Sequence, residues 1–173
     1  MAATPGLLSR REIRVKVMQA LYAQLVTEAP ATQVFEQHLA DTFMRLRQHA
    51  LDQQEDLTGF TDARFMESLY YGTLQGQEDY LNMVSSFLQN WDIDRVALID
   101  RIALMMGIHE LLDFSEVPVR VTLNEYLDIA RTFSTDKSSQ FVNGVLDTVL
   151  KQLQQQGRIQ KAGRGLIEGT PAD

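Results

Sequence analysis

Three arginines near the N-terminus, Arg10, Arg11 and Arg14, are the side chains in this sequence best suited to a defined chemistry. A helix turns by about 100° per residue, so on a helix these side chains fall within an arc of about 100°. The planar guanidinium group binds phosphate through paired N–H donors. A helix N-terminus adds unpaired backbone N–H groups and a dipole that favours anions. The pattern therefore favours contact with a nucleic-acid backbone, and a solvated helix end is the plainer alternative.

The stretch that follows Ser9 predicts the helix that positions these arginines. Ser9 and Glu12 have the spacing of a capping box, and we expect the helix to run to about Thr27. Its apolar stripe comprises Ile13, Val17, Met18, Leu21 and Leu25. Arg10 and Arg14 point the same way as this stripe. Either the first turns extend beyond the protein body, or these arginines pair with carboxylates.

The net charge of −7 argues against a general binder of polyanions. The charge is unevenly distributed, with +3 over residues 1–27, −12 over residues 28–128, +4 over residues 129–166 and −2 over residues 167–173. Both ends of the chain are therefore basic, and they form a local positive patch if they meet in space. The alternative is ordinary surface charge.

Composition and missing motifs exclude several classes of protein. Without cysteine there is no disulfide framework, no thiol nucleophile and no thiolate metal site. The sequence shows neither an apolar run of membrane-spanning length nor a signal peptide, so we expect a cytoplasmic protein without a membrane partner. It lacks a phosphate-binding loop and the G-x-S-x-G and H-E-x-x-H motifs, so we expect no enzyme, catalytic residue, metal or cofactor. His38 and His49 are interpreted as surface residues.

Apolar periodicity predicts two helices between residues 31 and 88, separated by a polar loop over 52–62. The first covers 31–54, and the second begins at Thr61 or Asp62. The inward residues of the first are Val34, Leu39, Phe43, Leu46 and Ala50. Gly72 and Gly76 lie four residues apart in the second helix, and their spacing predicts close packing against another helix.

The next predicted helix begins after Asn90 or Asp92 and is apolar on much of its circumference. Its expected buried side comprises Val96, Ile99, Ile102, Ala103 and Met106, with His109 and Glu110 beside them. A helix that is apolar on most sides is normally buried, so we expect this one to be central.

Residues 117–153 predict two amphipathic helices joined by the polar segment 134–136. The first stripe comprises Val119, Leu123, Tyr126, Leu127 and Ala130. The second comprises Phe141, Val142, Val145, Leu146, Val149 and Leu153. Gly144 lies within the second helix, where glycine costs about 1 kcal/mol relative to alanine. That cost suggests a close neighbour at Gly144, such as another backbone or a ligand.

Three stretches of the sequence resemble the NusB transcription antitermination family. RREIRVKVMQALY matches the family's arginine-rich helix start and its QALY motif, and NWDIDR and FVNGVLD follow in the family's order. The resemblance covers about residues 9–28 and 68–150 and is weakest over 31–62. It implies an all-α, compact fold of two packed helical bundles with about six to seven helices. We expect a flexible N-terminus over 1–8, the helical RNA-binding domain over 9–153 and a flexible tail over 154–173.

The resemblance also implies a function. Members of the family bind boxA RNA together with NusE, a protein of the small ribosomal subunit, and join RNA polymerase and other Nus factors to suppress termination in ribosomal RNA operons. The positions that match the family's RNA-binding residues, or lie beside them, are Arg10, Arg11, Arg14, Tyr22, Lys137 and Phe141. Asp100 and Glu110 in the acidic middle are expected to suit a basic partner such as NusE.

Departures from the family pattern leave alternatives open. Glu12 places an acid among the arginines, Lys137 stands where an acid is usual, and Gln140 stands where a lysine is usual. A helical protein–protein adaptor with weak or no RNA binding is therefore the second hypothesis. A third is the RNA-binding domain of a ribosomal RNA cytosine methyltransferase, which requires a longer chain. The sequence also leaves the oligomeric state open, including a homodimer that buries the arginine face.

Overall fold

The computed structural model of this protein describes residues 7–90 and 92–166. In this part of the chain there are eight α-helices and no β-strand, which confirms the all-α prediction. The helices are α1 Arg10–Thr27, α2 Ala31–His38, α3 Ala40–Asp52, α4 Asp62–Gln75, α5 Gln77–Ser85, α6 Leu98–Asp113, α7 Val119–Phe133 and α8 Asp136–Gln155. The chain divides into two compact units, Met1–Leu74 and Gln75–Asp173. Residues 1–6 and 167–173 of the predicted flexible termini lie outside the described residues.

Helix α1 begins with the predicted capping box. The backbone N–H of Glu12 donates to Ser9 Oγ at 3.3 Å, and the backbone N–H of Ser9 donates to Glu12 Oε2 at 2.6 Å. The buried residues of this helix are Ile13, Arg14, Val17, Met18, Ala20 and Leu21. The predicted stripe is therefore buried except for Leu25, which is only partly buried.

The predicted helix over 31–54 is interrupted at Leu39, where φ is −121°. The Leu39 side chain is nonetheless buried, with 1% of its surface exposed, so the interruption leaves this residue in the core. Val34, Leu46 and Ala50 are buried as predicted, and Phe43 is partly buried. In the same unit, the Tyr70 hydroxyl of α4 donates to the carbonyl oxygen of Ala31 at 2.9 Å and ties α4 to the start of α2.

The second predicted long helix is also interrupted, at Gly76. A methyl group at this position would overlap the ring of Tyr80. The nearest neighbour of Gly76 is thus the Tyr80 side chain, one turn further along the chain, whereas the sequence predicts a packed helix beside Gly72 and Gly76. The close approach matters because the Tyr80 hydroxyl is hydrogen-bonded to His109 Nδ1 at 2.9 Å.

Helix α6 is the central helix of the second unit, as its apolar sequence predicts. It packs against α5, α7 and α8, and every residue from 102 to 111 is buried. Asp92 caps a separate 3₁₀ turn, Ile93–Arg95, instead of this helix. The His109 ring lies inside the unit, where Nδ1 is also 2.9 Å from Asp113 Oδ2. This hydrogen bond lowers the pKa of the Asp113 carboxyl.

The buried face of helix α7 is shifted from the stripe that its apolar pattern predicts, although Tyr126 and Ala130 are buried as predicted. Its buried residues are Thr122, Tyr126, Ile129 and Ala130, whereas Leu123 and Leu127 are only partly buried. The Thr122 and Tyr126 hydroxyls donate to the Glu110 carboxylate at 3.1 and 2.6 Å. A buried carboxylate requires such donors, so these hydrogen bonds fix the rotation of α7 about its axis.

The segment after α8 packs against the end of α6. Lys161 Nζ donates to the carbonyl oxygen of Phe114 at 2.8 Å, and the Ala162 N–H donates to that of Ser115 at 3.0 Å. Burial lowers the pKa of the Lys161 ammonium group. Gly165 is buried, and a methyl group there would overlap the Ser115 carbonyl. The stretch assigned by sequence to a flexible tail therefore makes defined contacts as far as Gly165.

None of the helices in the described ranges combines the length and apolar character needed to cross a membrane.

Gly144 provides a test of the packing in α8. The sequence predicts another backbone or a ligand beside this position, and the backbone part of that prediction is wrong. Apart from the backbone of its own helix, a Cβ atom there would have no protein atom within 4 Å. We therefore expect Gly144→Ala to raise the free energy of unfolding by about 0.5–1 kcal/mol through helix propensity alone. Chemical denaturation measures this change.

Gly107→Ala is the matched control, because Gly107 is also within a helix but is buried. Its Cβ atom would lie 3.1 Å from Leu146 Cδ2 and 3.3 Å from Tyr126 Cδ2, so packing strain opposes the propensity gain. A larger stabilisation from Gly107→Ala than from Gly144→Ala would contradict this description of the two sites.

Candidate nucleic-acid interface

Arg10 is held by a carboxylate and an aromatic ring. Its Nε donates to Asp62 Oδ1 at 2.9 Å, and its guanidinium carbon lies 4.5 Å from the centroid of the Phe60 ring. The side chain remains 38% exposed, so solvent reaches it despite this pairing. Of the two explanations for arginines on the buried side of α1, carboxylate pairing holds for Arg10.

Arg14 is almost fully enclosed. Only 2% of its surface is exposed, and its guanidinium carbon lies 4.9 Å from the centroid of the Phe65 ring. Phe65 is itself fully buried. A cation on an aromatic face is attracted by the ring quadrupole, and the attraction strengthens when water is excluded. Arg14 thus anchors α1 to α4, and of the three arginines predicted to contact RNA, Arg11 and part of Arg10 are exposed to solvent.

Arg11 and Tyr22 lie on the solvent side of α1. Arg11 is exposed, and Tyr22 is 43% exposed. Helical periodicity separates their directions by about 20°, so they share one side of the helix. Val26, one turn beyond Tyr22, is 57% exposed. We call these three residues the outer face of α1. It presents a cation and an aromatic ring. Proteins use cations to contact the phosphates of single-stranded nucleic acid and aromatic rings to stack on its bases.

Glu12 is engaged in the helix cap, although it lies next to Arg11. Its carboxylate accepts hydrogen bonds from the Ser9 N–H at 2.6 Å and the Ser9 hydroxyl at 2.8 Å. The backbone hydrogen bond from Ser9, followed by the hydroxyl, lowers the pKa of Glu12. The carboxylate of Glu12 is therefore negatively charged at neutral pH. Its hydrogen bonds with Ser9 show that it serves to cap the helix.

The turn between α7 and α8 carries the other predicted RNA-binding residues, and it belongs to the second unit. Thr135 caps α8 by accepting a hydrogen bond from the Ser138 N–H at 3.1 Å. Lys137 is exposed and Phe141, one turn later on the same side of the helix, is partly buried. Phe133 at the end of α7 is 40% exposed, and the sequence analysis did not identify it. Its exposure follows from its position at the helix end.

The structure corrects the assignment of Asp100 and Glu110 to a partner-binding surface. Glu110 has no exposed surface, and its carboxylate accepts the hydrogen bonds from Thr122 and Tyr126. Asp100 is 5% exposed. Buried carboxylates cannot make surface contacts with a basic partner, so both residues belong to the interior of the second unit.

The sequence did not predict which residues contact the arginines of α1, namely Asp62, Phe60 and Phe65. Asp62 lies 52 residues from Arg10, and no local spacing connects such distant positions. The available signal was the excess of arginines on a buried stripe, which required a carboxylate somewhere in the chain. Within residues 7–90 and 92–166, no group of three His, Asp or Glu side chains has a metal-binding arrangement.

The contrast between Arg14 and Arg11 predicts different effects on stability. Arg14→Ala removes a desolvated contact with Phe65 and should lower the free energy of unfolding by about 2 kcal/mol. Arg11→Ala should change it by less than about 0.5 kcal/mol, since the side chain is exposed. Urea denaturation of the two variants compares them directly. Equal losses of stability would show that the two arginines do not have the separate functions described here.

Comparisons with known proteins identify the family. The sequence model of the NusB family matches residues 11–151. A transcription antitermination protein NusB from Salinibacter ruber is 39% identical over 159 residues, which cover 92% of this chain and 91% of that protein.

Solved structures agree with this match. The structure of T. maritima NusB is 25% identical, with a TM-score of 0.68 over 84% of this chain and 93% of that one. A structure of the antitermination factors NusB and NusE in complex with dsRNA has a TM-score of 0.64 at 18% identity, over 83% of this chain and 96% of that chain, and shows the same fold. The family match over most of the chain, the close relative and the shared helical fold establish that this protein belongs to the NusB family.

Proposed function

We propose that this NusB-family protein binds boxA-type single-stranded RNA together with NusE. Through this complex it joins RNA polymerase and other Nus factors and supports transcription of ribosomal RNA operons. The observation that carries the proposal is the outer face of α1, where Arg11 and Tyr22 are exposed on a helix that matches the family's arginine-rich start.

The chemistry of this face fits single-stranded RNA. Arg11 offers a guanidinium fork for a phosphate group, and Arg10 offers the part of its guanidinium group that Asp62 does not occupy. Tyr22 offers a ring on which an unpaired base can stack. Lys137 and Phe141 present the same pair of groups on α8. Phosphate contact and base stacking are thus available in each compact unit.

A basic protein partner fits the acidic middle of the chain. The solved complex of NusB, NusE and dsRNA provides the precedent for such a partner. Because Asp100 and Glu110 are buried, the complementary charge must come from exposed carboxylates. Asp92 and Asp94 beside the 3₁₀ turn are exposed and suit this contact.

The second candidate is a helical adaptor of the transcription complex with weak or no RNA binding. The observations that favour it are the burial of Arg14 and the pairing of Arg10 with Asp62, which reduce the charge available to phosphate. Gln140 adds to this argument, since a lysine is usual at that position in the family.

Titration of labelled boxA RNA, with and without NusE and at two salt concentrations, separates the two candidates. We expect preferential binding to boxA that is strengthened by NusE. Arg11→Ala should weaken binding and reduce the steepness of the plot of log affinity against log salt concentration by about 0.7, the value for one lost phosphate contact on a single strand. Lack of boxA preference with and without NusE would favour the adaptor.

The pairing of Arg10 with Asp62 predicts that this carboxylate limits RNA affinity. Asp62→Asn removes the charge that competes with phosphate for the Arg10 guanidinium group, so RNA affinity should rise about threefold or more. Asp52→Asn is the control, because it changes the net charge equally in the same unit and its carboxylate accepts a hydrogen bond from Gln48 instead of Arg10. Equal effects of the two substitutions would indicate that only net charge matters.

A further inference from the structure

A cavity of about 360 Å³ lies in the first unit and is not used by the proposed RNA contacts. Lys16 of α1, His38 of α2 and Arg45 of α3 all line it, so three helices bring a basic side chain to one place. Its size is within the range of about 300–1,000 Å³ that is typical of small-molecule sites. Such convergence of basic groups needs an explanation in a chain with a net charge of −7.

Among the residues that the structure describes, Lys16 and Arg45 are not held in ion pairs, although one carboxylate offsets part of the positive charge of the cavity. Asp41 is the carboxylate that lines the cavity beside them. None of the ion pairs in the described part of the chain involves Lys16, Arg45 or Asp41. The cavity therefore offers an ammonium group and a guanidinium group to a ligand, and an anion is the ligand that these groups recognise.

The uncharged residues that line the cavity indicate which kind of anion would fit it. Leu7, Leu8 and Leu46 contribute apolar surface, and Thr42 and Gln37 contribute hydrogen-bonding groups. A ligand that fits must combine a charged group with a less polar body that also forms hydrogen bonds. A nucleotide meets all three requirements, through its phosphate, its base face and its base edges.

The cavity lies on a different side of α1 from the proposed RNA contacts. Helical periodicity places Lys16 about 140° from Arg11 and about 160° from Arg14 around the helix axis. The cavity is also lined by α2 and α3, from the stretch 31–62 that least resembles the family. A ligand bound there would not compete directly for Arg11 or Tyr22.

We propose that this cavity binds the phosphate group of a nucleotide through Lys16 and Arg45. His38 and Thr42 contact the same ligand, and Leu7 and Leu8 pack against its base. The phosphate comes either from a free mononucleotide or from a nucleotide within an RNA strand.

Titration of the ¹⁵N-labelled full chain with adenosine 5′-monophosphate, followed by NMR, tests the proposal. The amide signals of the residues that line the cavity should shift, and adenosine, which lacks the phosphate, should bind at least about tenfold more weakly. Lys16→Gln and Arg45→Gln should each weaken nucleotide binding by about the same factor. Arg47→Gln is the matched control, because Arg47 is on the same helix as Arg45 but lines a different cavity. This substitution should leave the affinity for the nucleotide unchanged.

A second titration, with single-stranded RNA, identifies the source of the phosphate. If the mononucleotide shifts the amide signals of the residues that line the cavity, the ligand is a free nucleotide. If only RNA shifts these signals, and the shifts disappear in Lys16→Gln, the ligand is part of an RNA strand. The proposal is overturned if neither ligand shifts these signals, if adenosine binds as well as its monophosphate, or if both glutamine variants bind normally. All these variants replace partly or fully exposed side chains, and their amide spectra also report whether the fold is retained. RNA binding through Arg11 does not depend on this result, so each proposal can fail without the other.

Discussion

The contact between the Arg14 guanidinium group and the Phe65 ring constrains what the first helix can present to a partner. A cation that is 98% removed from solvent must keep its neighbours, so the contact fixes the rotation of α1 against α4. Arg10, one turn earlier, is then directed towards Asp62 and Phe60. Arg11 is left on the solvent side with Tyr22. The basic start of α1 is thus partly structural. The burial of Arg14 determines which arginines remain available for the proposed contact with RNA.

The second unit depends on a buried charge of the opposite sign. Glu110 lies in the central helix α6 and accepts hydrogen bonds from two residues of α7. Replacing this carboxylate would leave two buried hydroxyl groups without their acceptor, which normally costs more than the net value of the bonds. In both units, a charged residue that the sequence assigns to a binding surface instead determines how two helices pack.

Local signals in the sequence predicted most of the fold and only part of the site. The capping box of α1, the central position of α6 and the buried stripe of α8 follow from spacing alone. The interruptions at Leu39 and Gly76 do not, because the helical spacing of apolar residues continues through both positions. The same applies to the site, where the sequence placed three arginines on one arc but could not show which of them would be enclosed. That distinction depends on Asp62 and Phe65, which are distant in sequence.

The central claim is that RNA contacts Arg11 on the outer face of α1 while Arg14 remains enclosed. Side-chain ¹⁵Nε–¹Hε NMR of the arginines, recorded with and without boxA RNA, resolves each guanidinium group separately. We expect a large shift for Arg11, a smaller one for Arg10 and no change for Arg14. A shift of Arg14 as large as that of Arg11, or no shift of Arg11 under conditions where RNA binds, would contradict it.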